Sequence, residues 1–316
     1  MNLLVTGGCG FIGSSFIEHV INKKQVFKLV NLDCLSYAAN WDNSSRWDEN
    51  NKYIFNKVDI RNYNETFSTI YKHDISHVIH FAAETHVDNS ILTPDEFIES
   101  NILGTYNLLK ASLKLNVKRF HQVSTDEVYG HLKLKEKKFS ETTPYNPRNI
   151  YSASKASADF LARAYFHTYD LPVTISNCSN NYGPGQHEEK FIPTVILKIL
   201  EERKIPVYGN GKNIRDWIYV EDHCKALWKI LTKGKAGETY LAGANCEKTN
   251  LEIISEICKI LRRDPKEHIS FVKDRKAHDF RYAINNKKLM SELNWKPSTS
   301  LKSGLMKTIK HYKSLL

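Results

Sequence analysis

The segment VTGGCGFIGSSF, residues 5–16, decides the architecture. It sets Gly7, Gly10 and Gly13 between an apolar run, NLLVTG (2–7), that reads as a strand, and an amphipathic stretch over 12–23 that reads as a helix. Glycine permits a tight turn and lets backbone N–H groups approach a phosphate at the positive end of a helix. A second strand, FKLVNL (27–32), follows the helix, and Asp33 stands at its end. A carboxylate there accepts hydrogen bonds from both ribose hydroxyls and repels a 2′-phosphate. The expected ligand is therefore a dinucleotide, NAD rather than NADP.

Working outward, the same alternation continues. KYIFNKV (52–58), HVIHFA (77–82), RFHQVS (119–124) and PVTISN (172–177) read as further strands, with amphipathic stretches at 64–73, 95–116 and 152–168 between them. Apolar runs separated by helices make β-α-β units, and six such strands fit a doubly wound parallel sheet of Rossmann type. After NNYGPG (180–185) the pattern changes to short strands, turns and helical stretches at 190–203, 221–233 and 249–263. The expectation is an α/β protein with two domains. A cofactor domain spans residues 1–178, with the chain returning to it near 214–242, and a smaller mixed α/β substrate domain spans 179–316.

The 316 residues carry a net charge of +10, which suits an anionic partner. The lysines are nevertheless spread along the chain, with no run longer than KEKK (135–138), so a solvated surface is expected and nucleic acid is not. No apolar stretch approaches the roughly 20 residues needed to cross a bilayer. The start, MNLLVTGG, lacks the basic segment and apolar core of a secretory signal. Six cysteines without any C-x-x-C pair argue for free thiols and against a zinc site. A cytoplasmic, metal-free protein is expected.

Two further patterns carry chemistry. In NIYSASKASAD, Tyr151 and Lys155 sit four apart, on one face of a helix. A lysine charge lowers the pKa of a nearby phenol, and a phenolate can take a hydroxyl proton while hydride leaves the same carbon. In STDEVYG (124–130), Thr125 can share that hydroxyl, and two adjacent carboxylates follow at the end of a buried strand. Side chains of adjacent strand residues point to opposite faces. Asp126 and Glu127 can reach one substrate only if the strand has already ended. Two nearby carboxylates in a desolvated cleft hinder each other's ionisation, so one can stay protonated. The plainer alternative is a pair of first-turn acids at a helix start.

TGGCGFIG, Asp33, HFAAETHVD (80–88), the Tyr151–Lys155 pair and NNYGP (180–184) together resemble the extended short-chain dehydrogenase/reductase superfamily, over essentially the whole chain. STDEVYG, SNNYGP (179–184), EKFIP (189–193), NIRDWIYVEDH (213–223) and HDFRYAIN (278–285) make it most similar to the dTDP-glucose 4,6-dehydratases. The resemblance implies oxidation of glucose carbon 4 with Tyr151 as base. Loss of water across carbons 5 and 6 follows, with Asp126 as acid and Glu127 as base, and hydride then returns to carbon 6. Lys155 and Thr125 complete the catalytic set.

The resemblance also implies NAD contacts from Gly7, Gly10, Phe11, Ile12, Gly13, Asp33, Ser36, Asp59, Ile60, Ala82, Ala83, Thr85, Tyr151, Lys155 and Asn181. The nucleotide sugar would meet Thr85, Thr125, Asn180, Lys190, Phe191, Arg215 and Asn250. Pro206, Val207 and Tyr208 would line the base pocket, and Arg275 and His278 would close over the nucleotide. Lys276 and Ala277 replace the usual Pro and Gly, so UDP-glucose stays open as the substrate beside dTDP-glucose. A nucleotide-sugar 4-epimerase would keep Tyr151 and Lys155 without needing the acidic pair, and a non-catalytic binding protein would need none of the four. Family members form dimers, which implies a homodimer through the helices at 95–116 and 152–168.

Overall fold

The computed structural model describes residues 1–274 and 278–316. Its first six strands are those expected: β1 (Asn2–Thr6), β2 (Lys28–Asp33), β3 (Tyr53–Lys57), β4 (His77–His80), β5 (Arg119–Thr125) and β6 (Val173–Cys178). Then come β7 (Asn180–Tyr182), β8 (Ile205–Tyr208), β9 (Ile214–Tyr219), β10 (Thr239–Ala242), β11 (Glu247–Thr249) and β12 (Ile269–Val272). One parallel sheet of seven strands runs in the order β10-β6-β5-β4-β1-β2-β3. The order reverses between β1 and β4, and ligands of open α/β sheets bind beyond the carboxyl ends of the strands at such a point.

Alternation along β1 explains why both faces are covered. Leu4 joins Val30, Val78, Phe120 and Val173 under the helices Tyr63–Lys72, Thr105–Lys114 and Ile150–Tyr169. Leu3 and Val5 join Leu29, Ile79 and Val123 on the other face, under the helices Phe11–Val20 and Val220–Lys233. Each fully buried aliphatic side chain of this kind contributes about 1.5–3 kcal/mol relative to exposure. The chain rejoins the sheet through Val220–Lys233 and β10, which pairs with β6 from Thr239↔Ile175 to Ala242↔Cys178. A second core gathers Ile192, Ile196, Trp217, Tyr219, Ile253 and Leu305 around β9, which lies between β7 and β11.

One stretch departs from the expected continuous helix over 95–116. Pro94–Phe97 is a short α-helix, Ile98–Gly104 is π-helical, and Thr105–Lys114 is α-helical again. The wider turn sets Asn101 inward, where its amide donates to the Glu84 carbonyl (3.0 Å) and to Ser154 Oγ (2.8 Å), while its Oδ1 accepts from the Glu84 N–H (2.8 Å). The π-turn thus clamps the chain leaving β4, as such turns often do at functional sites.

Candidate active site

A cleft of about 330 Å³ opens along the carboxyl ends of β1, β2, β4, β5 and β6 and continues to the Gln186–Lys190 segment. The glycine turn forms one wall. Gly7 has φ +71°, and a Cβ there would lie 2.7 Å from the Ala82 nitrogen; a Cβ on Gly13 would lie 2.2 Å from the Gly7 oxygen. Side chains are excluded at both positions, so backbone is what faces the cleft. The helix Phe11–Val20 begins at Gly10 without a side-chain cap, leaving first-turn amides for an anion. Asp33 is buried at the end of β2, where Oδ2 accepts from the Cys9 N–H (2.9 Å) and Oδ1 from the Leu35 N–H (2.8 Å). A carboxylate has further lone pairs, so Asp33 can still take ribose hydroxyls. These residues fit a dinucleotide.

The acidic pair lies where the strand has ended. β5 stops at Thr125, and Asp126–Tyr129 is a single 3₁₀ turn closed by Gly130 at φ +84°. The cap of this turn is Thr125, whose Oγ1 accepts from the Glu127 N–H (3.3 Å), so neither acid serves as its cap. Both carboxylates line the cleft with Thr125, Tyr151 and Lys155. Asp126 is 1% exposed, and its Oδ2 has no hydrogen-bond partner. Burial first, then the charges of Glu127 and Asp216, push its carboxyl well above the usual range. Its surroundings therefore favour the proton-bearing form of Asp126.

Tyr151 and Lys155 are placed by a reciprocal cap on the helix Ile150–Tyr169. Asn149 Oδ1 accepts from the Ser152 N–H (2.8 Å), and the Asn149 N–H donates to Ser152 Oγ (3.2 Å). The expectation that Lys155 draws the Tyr151 phenol downward is not met in this structure. Burial, then the charge of Glu127, push the phenol well above its ordinary value, and a hydrogen bond with Thr125 opposes them. The Lys155 ammonium instead donates to the Val123 carbonyl (2.8 Å). Behind it, Asp159 Oδ2 accepts from Ser124 Oγ (2.8 Å), Tyr145 OH (2.9 Å) and Asn177 Nδ2 (3.2 Å).

The cleft gathers every residue expected to touch NAD, together with Thr125, Asp126, Glu127, Asn180 and Lys190. Asp59 lies in it paired with Arg61 (2.7 Å), and Asn62 supplies the cap of the next helix. Phe191, Pro206, Val207, Tyr208, Arg215, Asn250 and His278 lie outside its lining. Arg215 is buried and donates to the carbonyls of Ile214 (2.8 Å), Phe280 (3.3 Å) and Asp279 (3.0 Å), with its guanidinium 4.3 Å from the Tyr282 ring centre. Its fork is committed to the backbone in this structure. Tyr208 and His278 face one another edge to face at 6.4 Å, and Asn250 opens the helix that follows the Thr249 cap. Arg275 falls outside the described residues, as do Lys276 and Ala277.

The structure adds residues that sequence reading passed over. Glu84, Ser100, Cys178, Gln186, His187 and Glu189 line the cleft. Glu84 and Glu189 stand inside motifs already singled out, HFAAETHVD and EKFIP, so the signal was present. Tyr282 stands inside HDFRYAIN, and its hydroxyl reaches 3.5 Å from Glu127 Oε2 across 155 residues of chain.

A protein-family model described as GDP-mannose 4,6 dehydratase matches residues 4–308. The chain belongs to that family. A dTDP-glucose 4,6-dehydratase of Haemophilus influenzae is 45% identical, covering 99% of this chain and 98% of its relative. DesIV, a dTDP-glucose 4,6-dehydratase of Streptomyces venezuelae solved with NAD, superposes with a TM-score of 0.96 at 39% identity, covering 99% of this chain and 97% of that one. A UDP-glucose 4-epimerase of Thermus thermophilus in complex with NAD reaches 0.92 at 26% identity, with both chains fully covered. The dehydratase family thus shares its backbone with epimerases, and the fold cannot choose between them.

Proposed function

We propose that the protein is an NAD-dependent dTDP-glucose 4,6-dehydratase, a hydro-lyase that yields a 4-keto-6-deoxy sugar nucleotide. The observation that carries this reading is the buried Asp126 beside Glu127 on the turn after β5, in one cleft with Tyr151, where burial and its neighbours raise the Asp126 pKa. The dTDP-glucose dehydratases named above support the choice of base and sugar.

NAD, when bound, supplies the acceptor for hydride from carbon 4 and its return to carbon 6. The glycine turn and the amino end of Phe11–Val20 hold the pyrophosphate, and Asp33 holds the ribose. Tyr151, sharing the 4-hydroxyl with Thr125, would take the hydroxyl proton as carbon 4 is oxidised, its phenolate favoured once bound nicotinamide adds a positive charge to that of Lys155. A 4-keto group acidifies the proton on carbon 5. Glu127 takes that proton, and Asp126 gives its own to the hydroxyl leaving carbon 6, so one water departs; Glu127 returns a proton to carbon 5 when carbon 6 is reduced. Epimerisation needs none of these transfers.

The decisive experiment incubates the protein and NAD with dTDP-glucose or UDP-glucose and examines the product by mass and sugar NMR. Loss of one water with a 4-keto-6-deoxy signal, faster with dTDP-glucose, is the expected result. Unchanged mass with a galactose product would replace this reading with an epimerase. A faster reaction with UDP-glucose would change the base.

Two further features belong to the same reading. Leu103, Tyr106, Phe160 and Tyr169 leave apolar surface exposed on the packed helices around 98–114 and 150–169, which supports a homodimer. Light scattering on Phe160→Glu checks it: a wild-type dimer that becomes monomeric is expected. All six cysteines are free thiols, which supports a reducing, cytoplasmic setting. Among the described residues no helix is long and apolar enough to cross a membrane.

A further inference from the structure

Asp279 has no part in the chemistry described above, yet it is 2% exposed and heavily engaged. Its Oδ2 accepts from the Tyr282 hydroxyl at 2.5 Å, and its Oδ1 faces Arg148 Nη1 at 3.1 Å and His131 Nδ1 at 3.5 Å. The segment that carries it is pinned on two sides. Tyr282 N–H donates to the Ile214 carbonyl (3.1 Å), and the Asp279 carbonyl accepts from Asn213 and Arg215. Arg148 directly precedes Asn149, the cap of the Tyr151 helix, and His131 follows the turn that carries Glu127. Three parts of the site therefore meet at one carboxylate.

A phenol has one proton to give. The Tyr282 hydroxyl stands 2.5 Å from Asp279 and 3.5 Å from Glu127 Oε2, so the proton belongs to the shorter, charge-assisted bond. Its oxygen then presents lone pairs toward Glu127. Facing a carboxylate, lone pairs disfavour the charged form and favour proton uptake. Tyr282 itself stays a phenol, since burial and then the charge of Glu127 push its ionisation well above the usual value. From the other elements packed here, Glu127 feels Asp126 on its own turn, Tyr151 on the helix Ile150–Tyr169 and Lys190 before the helix Phe191–Leu200. Asp279 has Arg148 as counter-charge, with His131 beside both.

We propose that Asp279 is a positioning residue that acts through Tyr282: by holding the Tyr282 proton, it turns the phenol oxygen toward Glu127 and makes Glu127 a stronger base for the proton on carbon 5. This rests on the dehydratase reading. The proton moves from carbon 5 to Glu127 as before, and no new bond or reductant is involved.

The test compares Asp279→Asn, Tyr282→Phe and the double variant on the NAD-loaded enzyme with dTDP-glucose. Three readouts are taken: reduced-cofactor absorbance in a single turnover, deuterium uptake at carbon 5 from heavy water, and the pH profile of turnover. In Asp279→Asn the Tyr282 proton is released to Glu127, and in Tyr282→Phe the lone pairs are gone. Both changes weaken Glu127 as a base, so both should slow deuterium uptake about tenfold and move the acidic limb down by about one pH unit. Oxidation at carbon 4 should be unchanged, and the double variant should be no worse than either single one. Unshifted acidic limbs, equal loss of the oxidation step, or fully additive effects would each overturn the proposal while leaving the dehydratase intact. A wild-type enzyme that never releases water would instead remove the dehydratase reading, and this proposal with it.

Discussion

Asp33 and Asp126 occupy equivalent places, each buried at the carboxyl end of a parallel strand, and burial raises the pKa of both. They are nonetheless built for opposite tasks. Asp33 receives two backbone N–H bonds, from Cys9 and Leu35, which favour its charged form and leave it a hydrogen-bond acceptor. Asp126 has an oxygen with no partner and two carboxylates nearby, Glu127 and Asp216, which favour its neutral form. The same side chain becomes an acceptor for ribose or a donor of protons according to which neighbours the strand end provides.

That contrast breaks most sharply at Asp126. Asp126→Asn keeps shape and neutrality but removes the transferable proton. Dehydration should fall by roughly 10²–10⁴-fold while NAD binding and oxidation at carbon 4 persist, read from product formation against reduced-cofactor absorbance. Asp33→Asn tests the other side: with hydrogen bonds to a charged group worth about 1.5–3 kcal/mol, NAD affinity should fall roughly 10–100-fold in calorimetry. Turnover at saturating cofactor should hardly change. If Asp33→Asn instead abolished dehydration with NAD bound, the division of labour would fail.

A finer test uses pH. The Asp126 pKa lies above the ordinary carboxylate value, so the acid is competent below that raised pKa and is lost as pH rises through it. Asp216, itself pushed up to about 6 by burial, is one of the charges holding it there. Asp216→Asn removes that charge and lets Asp126 ionise earlier, so the alkaline limb of dehydration should move to lower pH. A limb that stays still would show that Asp126 does not set it. The isosteric amide can keep the Cys246 N–H bond at Asp216 Oδ1 (2.6 Å), so the fold should survive.

How far these arrangements are legible depends on their range in sequence. β5 ends and the 3₁₀ turn begins within STDEVYG, so the demand that strand geometry places on two adjacent acids could be stated from seven letters. The glycine turn was equally local. The approach of Tyr282 to Glu127 depends instead on where the 279–284 segment crosses β9, 155 residues along the chain from the acidic pair, and no local spacing announces it. The carbonyls that meet the Arg215 guanidinium are just as distant in sequence, on the 279–284 segment some 65 residues along the chain. The π-turn at 98–104 escaped because periodicity over 95–116 is helical on either side, and what widens it is the pull of Asn101 toward Glu84.

The late return of the chain to its first sheet has a consequence for how the molecule comes into being. β6 is paired with β5 on one side as soon as it is made, but its other neighbour, β10, lies beyond β7, β8, β9 and the helix Val220–Lys233. A nascent chain therefore carries a bare strand edge until those intervening residues have left the ribosome. Unpaired edges are templates for pairing with other chains. β10, the last of the seven strands to be made, pairs that edge of β6 and becomes the short end strand of the sheet.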